Sequence, residues 1–244
     1  MPAIDLTSTT AVIFDADGVV TDTARAHAAA WKHVFDTFLA GRAEPYAPFD
    51  IREDYLRHVD GRSRADGVRA FLATRGVHLP EDGPPGLPSV RSLARAEEHL
   101  FAGHLARYGV AAFPGTVGLL HELRRRGART AAVSGDGDCS RIVTAAAVAH
   151  LFDVLVDGDA APGRPCRPGP AQLREAARLL GAAPERIALV EDAACVAEAG
   201  RRGFGLVVGV DRAGRRPGPG HGADVLVADL GELKVIGRVP VNAL

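Results

Sequence analysis

Two acidic pairs stand where chemistry could happen. Asp15-Ala16-Asp17-Gly18 closes the apolar run Ala11-Val-Ile-Phe14, and Glu191-Asp192 closes the run Ile187-Ala-Leu-Val190. In an extended chain residues i and i+2 point to the same side, so Asp15 and Asp17 share a face, and Gly18 permits a sharp exit. Carboxylates brought together there repel one another unless a hard cation holds them, and Mg²⁺ is the usual choice. One carboxylate can then attack a phosphoryl group and carry it as an aspartyl phosphate. Its neighbour can protonate the leaving oxygen and later activate water or a second hydroxyl. D-x-D-G alone could be a polar turn, and Glu191-Asp192 could simply begin a helix, where acids suit the dipole. An EF-hand is a poor rival, because a strand-like run precedes the acids and the glycine comes too early. Acids ending two separate buried runs favour the metal site.

The elements that must position these groups follow from the pattern of apolar residues. Short runs at 11–14, 130–133, 154–156, 187–190, 206–208 and 225–227 read as strands buried on both faces. Between them lie helical stretches at 117–126, 140–149, 170–180 and 193–202, with Pro170 at one start and Gly127, Gly181 and Gly203 just past ends. Such alternation predicts an α/β fold, a Rossmann-like parallel sheet with helices on both faces. In that arrangement ligands sit at the carboxyl ends of the strands, which here offer Asp15, Asp17, Ser134, Arg164 or Arg167, Glu191 and Asp192. From 23 to 108 no buried strand is evident, and helical patterning at 26–39, 65–74 and 90–107 predicts an inserted helical cap. The expected division is an α/β core over 1–22 and 109–244 and a cap over 23–108. Loops rich in Gly and Pro are expected at 80–88, 157–169 and 212–222.

Phe14-Asp-Ala-Asp-Gly-Val19, Ser134, a basic residue before proline and Glu191-Asp192 together resemble the haloacid dehalogenase superfamily of phosphotransferases. The likeness is closer to its β-phosphoglucomutase-like branch, through Asp17-Gly-Val-Val-Thr-Asp-Thr-Ala24 followed by His27 and Trp31, and through Asp60-Gly-Arg-Ser-Arg-Ala-Asp-Gly67. The resemblance implies Asp15 as nucleophile and Asp17 as general acid/base. It places Mg²⁺ on the Asp15 carboxylate, the Asp17 carbonyl and Asp192, with Glu191 direct or through water. It puts Ser134 and the Gly135 amide on the phosphoryl oxygens, Arg64 on the substrate's non-reacting phosphate and His27 at cap closure. Arg95 falls near a cap lysine of the family.

The chain also departs from that pattern. The core lysine is replaced by arginine, Arg167 in the ungapped match and Arg164 in a rival register, and a flat fork places charge differently from an ammonium. After Ser134 stand Asp136 and Asp138. At ~4 Å each would repel a second phosphate by about 4 kcal/mol at a surface-like dielectric, unless Asp138 merely caps the following helix. Ala171 stands where the family often has an aspartate. Glu97-Glu98 replace a Lys-Asn pair and read as a solvated helix face.

Composition narrows the function classes. With 29 basic and 30 acidic residues the formal net charge is −1, without the basic face a nucleic-acid binder needs. No run approaches the roughly 18 apolar residues of a membrane span, and residues 1–10 lack a secretory pattern. Lys32 and Lys234 are the only lysines, so the core-lysine replacement accords with a general bias to arginine. Cys139, Cys166 and Cys195 form no C-x-x-C pair, which fits a reducing cytoplasm. Cys139, Cys195, Trp31, Phe35 and Phe38 read as packing residues. His33, His58, His78, His99, His104, His121, His150 and His221 show no metal-ligand spacing. The expected protein is a cytoplasmic, Mg²⁺-dependent enzyme, a monomer or small homo-oligomer acting on a small phosphorylated metabolite. A phosphatase is the first reading, a mutase of the β-phosphoglucomutase type the second, and a repurposed fold that binds a phosphate-bearing ligand the third.

Overall fold

The computed structural model describes residues 2–42, 45–135, 137–158, 168–193, 196, 203–212, 214 and 222–240. These fall into two compact units, Thr23–Gly109 and the described residues on either side of it.

The flanking unit is built on a six-stranded parallel sheet: β2 (Ala11–Asp15), β3 (Arg129–Val133), β4 (Val154–Val156), β5 (Ile187–Asp192), β6 (Leu206–Val210) and β7 (Val225–Val227), in the order β4-β3-β2-β5-β6-β7. All six match the buried runs of the sequence. Two further strands, β1 (Ala3–Asp5) and β8 (Lys234–Ile236), pair with each other as a separate parallel ribbon. Asp5 and Lys234 interrupt these two short segments, so neither reads as a continuous apolar run in the sequence.

The first strand to enter the six-stranded sheet, β2, lies in its middle, fully buried along its length. The chain then winds outward on one side to β4, returns, and winds outward on the other from β5. The switch point therefore falls between β2 and β5, where a doubly wound sheet opens a crevice at its carboxyl edge. Helix α6 (Pro170–Leu180) covers one face, packing Leu173, Ala176, Ala177 and Leu180 on Ala11, Ile13, Ala131 and Leu189. Proline opens α6, and Gly181, at φ +65°, closes it in the left-handed conformation that glycine adopts without strain. Helix α4 (Pro114–Arg125) also starts on a proline, and α5 (Cys139–Ala145) is shorter than the pattern at 140–149 suggests, because Ala147 turns to φ +57°. The helix expected at 193–202 and the loops at 157–169 and 212–222 lie largely outside the described residues.

The other unit holds α1 (Ala24–Ala40), α2 (Arg64–Thr74) and α3 (Val90–Tyr108), with a five-residue π-helical turn at Tyr55–Val59. Its core is aromatic: Trp31 stacks on Phe35, and Phe35 meets Phe49 and Phe71. Helix α3 begins with a capping box in which Ser89 and Ser92 satisfy each other's backbone N–H. Ser89→Ala is expected to cost about 1 kcal/mol in urea unfolding, and an unchanged midpoint would show the cap to be idle.

Candidate active site

Strand register assembles the site. Asp15 lies opposite Val133 on β3, and Phe14 opposite Val190 on β5. The next residues along those neighbours are Ser134 and Glu191, so Asp15 emerges between them at the switch point. Asp15, Ser134 and Glu191 are buried, while Asp17 and Asp192 are half-buried.

The turn after β2 is tightly pinned. Ala16 N–H donates to Val133 O (2.8 Å), Gly18 N–H to Thr21 O (3.0 Å) and Thr21 Oγ1 to Ala16 O (2.7 Å). Gly18 sits at φ +74°, where a side chain would strain the backbone. Within the turn Asp17 N–H donates to Asp15 Oδ1 (3.2 Å), and Ser134 Oγ donates to Asp17 Oδ2 (3.4 Å). Both aspartates and the serine thus share one network. A Cβ built on Gly18 would stand 3.9 Å from Asp192 Oδ2, which brings β5's last acid to the same turn.

Burial pushes the Asp15 carboxyl well above the usual carboxylate range, and the negative charges of Asp17, Glu191 and Asp192 push it further. The Asp17 N–H opposes them. Four mutually repelling carboxylates are the donor chemistry of a hard divalent cation, and Asp15, Asp17, Glu191 and Asp192 could hold Mg²⁺. Among the described residues no three His, Cys, Asp or Glu side chains already stand together as a metal cage.

On the loop after Ser134, Asp138 is buried and paired with Arg141, and its side chain does not cap α5. Arg141 therefore offsets its charge locally. The sequence reading missed this pair, although the i, i+3 spacing of Asp138 and Arg141 was a signal that could have found it. Asp136, Arg164 and Arg167 lie outside the described residues, as do Cys166, Cys195 and His221. The Cys139 thiol is buried, and that burial pushes its pKa up, so it packs and does not react.

In the helical unit, His27, Arg64 and Glu97 meet. Arg64 Nε donates to Glu97 Oε2 (2.6 Å) and His27 Nδ1 to Glu97 Oε1 (2.7 Å). The His27 ring stacks on Phe101 at 3.8 Å, and the Arg64 guanidinium lies 5.9 Å from the same ring. Glu97 is 0% exposed, so the solvated-face reading of Glu97 is wrong. The correction was available in the sequence: Val90, Glu97, Phe101 and Leu105 form the buried stripe of α3, and an acid on such a stripe needs a cation. Burial alone would raise the Glu97 carboxyl, but His27 and Arg64 together hold it below its ordinary value. Arg95 is exposed and lines a different feature, a groove of about 700 Å³ between α1, α3 and Gly86–Pro88.

Comparison with known proteins accords with this geometry. Residues 9–203 match the family model of haloacid dehalogenase-like hydrolases. A β-phosphoglucomutase of Mycobacterium bovis is 37% identical over 237 residues, covering 91% of this chain and 90% of its own. A trehalose-phosphate phosphatase of Mycobacterium marinum is 51% identical over 65 residues, 26% of this chain and 17% of its own. The crystal structure of β-phosphoglucomutase from Clostridium difficile superposes with a TM-score of 0.69 at 20% identity, covering 93% of each chain.

Proposed function

The chain belongs to the haloacid dehalogenase-like hydrolase family, and we propose that it is a phosphatase acting on a small phosphorylated metabolite, a sugar phosphate first, through an aspartyl phosphate on Asp15. The observation that carries this reading is Asp15 itself, buried at the switch point of the sheet and hydrogen-bonded into the turn that holds Asp17.

In this reading an Asp15 carboxylate oxygen attacks phosphorus while the bond from phosphorus to the substrate oxygen breaks. Asp17 delivers its proton to that leaving oxygen. Water then attacks the aspartyl phosphate and gives a proton back to Asp17, releasing phosphate and restoring the Asp15 carboxylate. The Ser134 hydroxyl and the Gly135 amide hold phosphoryl oxygens throughout, and Arg167 or Arg164 takes the part of the family's core lysine. Mg²⁺ held by the Asp15 carboxylate, the Asp17 carbonyl, Glu191 and Asp192 would supply charge neutralisation at the phosphoryl oxygens.

The pairing of Arg64 with Glu97 supports a substrate with one phosphate, since the buried carboxylate already balances the arginine's charge. The mutase reading keeps the same first step and replaces water by a second sugar hydroxyl. Two observations favour it, the 37% identity to a mycobacterial β-phosphoglucomutase and the local balance of Asp138 by Arg141.

Phosphorus NMR with Mg²⁺ and a panel of sugar phosphates, including β-glucose 1-phosphate primed with its bisphosphate, separates the two. Free phosphate is the expected product. A shifted ester without phosphate release establishes the mutase, and silence across the panel removes the mutase and the sugar-phosphate substrate and leaves a non-sugar substrate or a repurposed fold. Independently of turnover, Asp192→Asn is expected to weaken Mg²⁺ binding at least about tenfold in calorimetric titration. Equal affinity would remove Asp192 from the metal site.

A further inference from the structure

Arg212 stands two residues past the end of β6, at the carboxyl edge of the sheet, and its guanidinium is shared among three segments distant in sequence. Nη1 donates to Asp229 Oδ2 (2.7 Å), Nε to Gly18 O (3.3 Å), and Nη2 to Val19 O and Thr116 Oγ1 (both 3.4 Å). The guanidinium carbon also lies 3.5 Å from the centroid of the Phe113 ring. Thr116 is fully buried and donates to the same Val19 carbonyl (2.8 Å). Asp229 is held in turn by Gly231 N–H (2.8 Å), and it packs so closely on Gly115 that a Cβ there would meet Asp229 Oδ1 at 1.8 Å.

These contacts converge on one place. Gly18 and Val19 directly follow Asp17, and Phe113 belongs to the segment by which the chain returns to the sheet unit. Exit and return are already paired, Asp22 N–H to Ala111 O (2.9 Å) and Phe113 N–H to Val20 O (3.0 Å). The planar fork of arginine can bind the exit carbonyls at its edge while its face stacks on the return ring. A lysine ammonium has neither the fixed fork nor the flat face to do both at once.

We propose that Arg212 is a positioning residue for phosphoryl transfer, clamping the Gly18–Val19 turn against Phe113 and Asp229 so that Asp17 stands where it can hand over its proton. The inference rests on the acid/base role proposed for Asp17. Proton transfer needs the donor within hydrogen-bond reach of the leaving oxygen, and Arg212 adds a charged group that ties the Gly18 and Val19 carbonyls to Asp229 and the Phe113 ring at once.

The test uses the full chain with Mg²⁺ in single turnovers with enzyme in excess, comparing p-nitrophenyl phosphate with phenyl phosphate. The two esters differ little in shape, but phenolate is the poorer leaving group and depends on the acid. Arg212→Lys is expected to slow the first step about tenfold or more on phenyl phosphate and less than about threefold on p-nitrophenyl phosphate, in rate and not in substrate affinity. Arg212→Ala should show the same split more strongly, and Arg212→Lys keeps the test open if the alanine variant does not fold. Equal losses on both esters, or no loss on either, overturn the inference and leave the phosphatase reading standing. A wild-type protein inert to both esters overturns the two together.

Discussion

Asp15→Asn is expected to lower turnover of any phosphate ester by on the order of 10⁴-fold or more while leaving the fold intact. Asparagine keeps the shape of the side chain and can accept the Asp17 N–H, but an amide is no nucleophile, and in this mechanism Asp17 serves as the acid and base. The loss should appear in kcat, since the side chain's role lies in bond formation and not in holding substrate. Stability should move the other way. In the folded chain Asp15 is disfavoured as an anion by burial and by Asp17, Glu191 and Asp192, whereas in the unfolded chain it ionises freely, so at neutral pH it opposes folding. Removing that charge in the metal-free protein should raise stability by about 1 kcal/mol, read as a Tm higher by ~2–4 °C. Phosphate release and calorimetry in chelator check the two halves. A variant that retains substantial turnover sinks the aspartyl-phosphate mechanism, and a Tm lowered by several degrees refutes the picture of a site strained by its own acids.

Glu97→Ala is expected to destabilise the helical unit by about 3–5 kcal/mol, the cost of stripping the carboxylate from a buried ion pair. Arg64 has a side chain only 9% exposed and His27 only 16%, and both turn to Glu97. Glu97→Gln should cost less, since its carbonyl still accepts one of the two hydrogen bonds. The pH dependence has a definite sign. Because the folded-state carboxyl is held below the ordinary 4.5, its contribution is full well above that value and fades as pH falls through and below it. The stability gap between wild type and Glu97→Gln should therefore be constant near neutrality and close on acidification below about pH 4.5. Urea unfolding across that range is the measurement. A gap that persists unchanged in acid would mean that Glu97 acts by shape and not by charge.

Much of this protein was legible in its residues, and what was legible has a common cause. The six apolar runs became six parallel strands because a strand inside a covered sheet must be apolar throughout, a local property written in three or four consecutive letters, although the edge strands β4 and β7 are only partly buried. The acids ending two of those runs pointed to the candidate site, since a charge closing a buried strand is conspicuous against it. Glu97 was misread as part of a solvated face, because an acidic pair suggests water, although its place on the apolar stripe of α3 carried the opposite signal.

Tertiary structure decided what no local pattern records. Periodicity reports that a residue is covered, never by what. The position of β2 at the centre of the sheet, which brings Asp15 beside Ser134 and Glu191, depends on strand order and register. The partners of Glu97, Arg64 and His27, lie 33 and 70 residues away, and Arg212 reaches Gly18 across 194. The two short strands at the ends of the described chain find each other only because the sheet unit brings them together. The sequence by itself determined which groups could do chemistry and on which kind of element each would stand. Only the folded chain decided which of them are neighbours, because hydrogen bonds and ion pairs depend on distances in space, and separation along the chain does not set those.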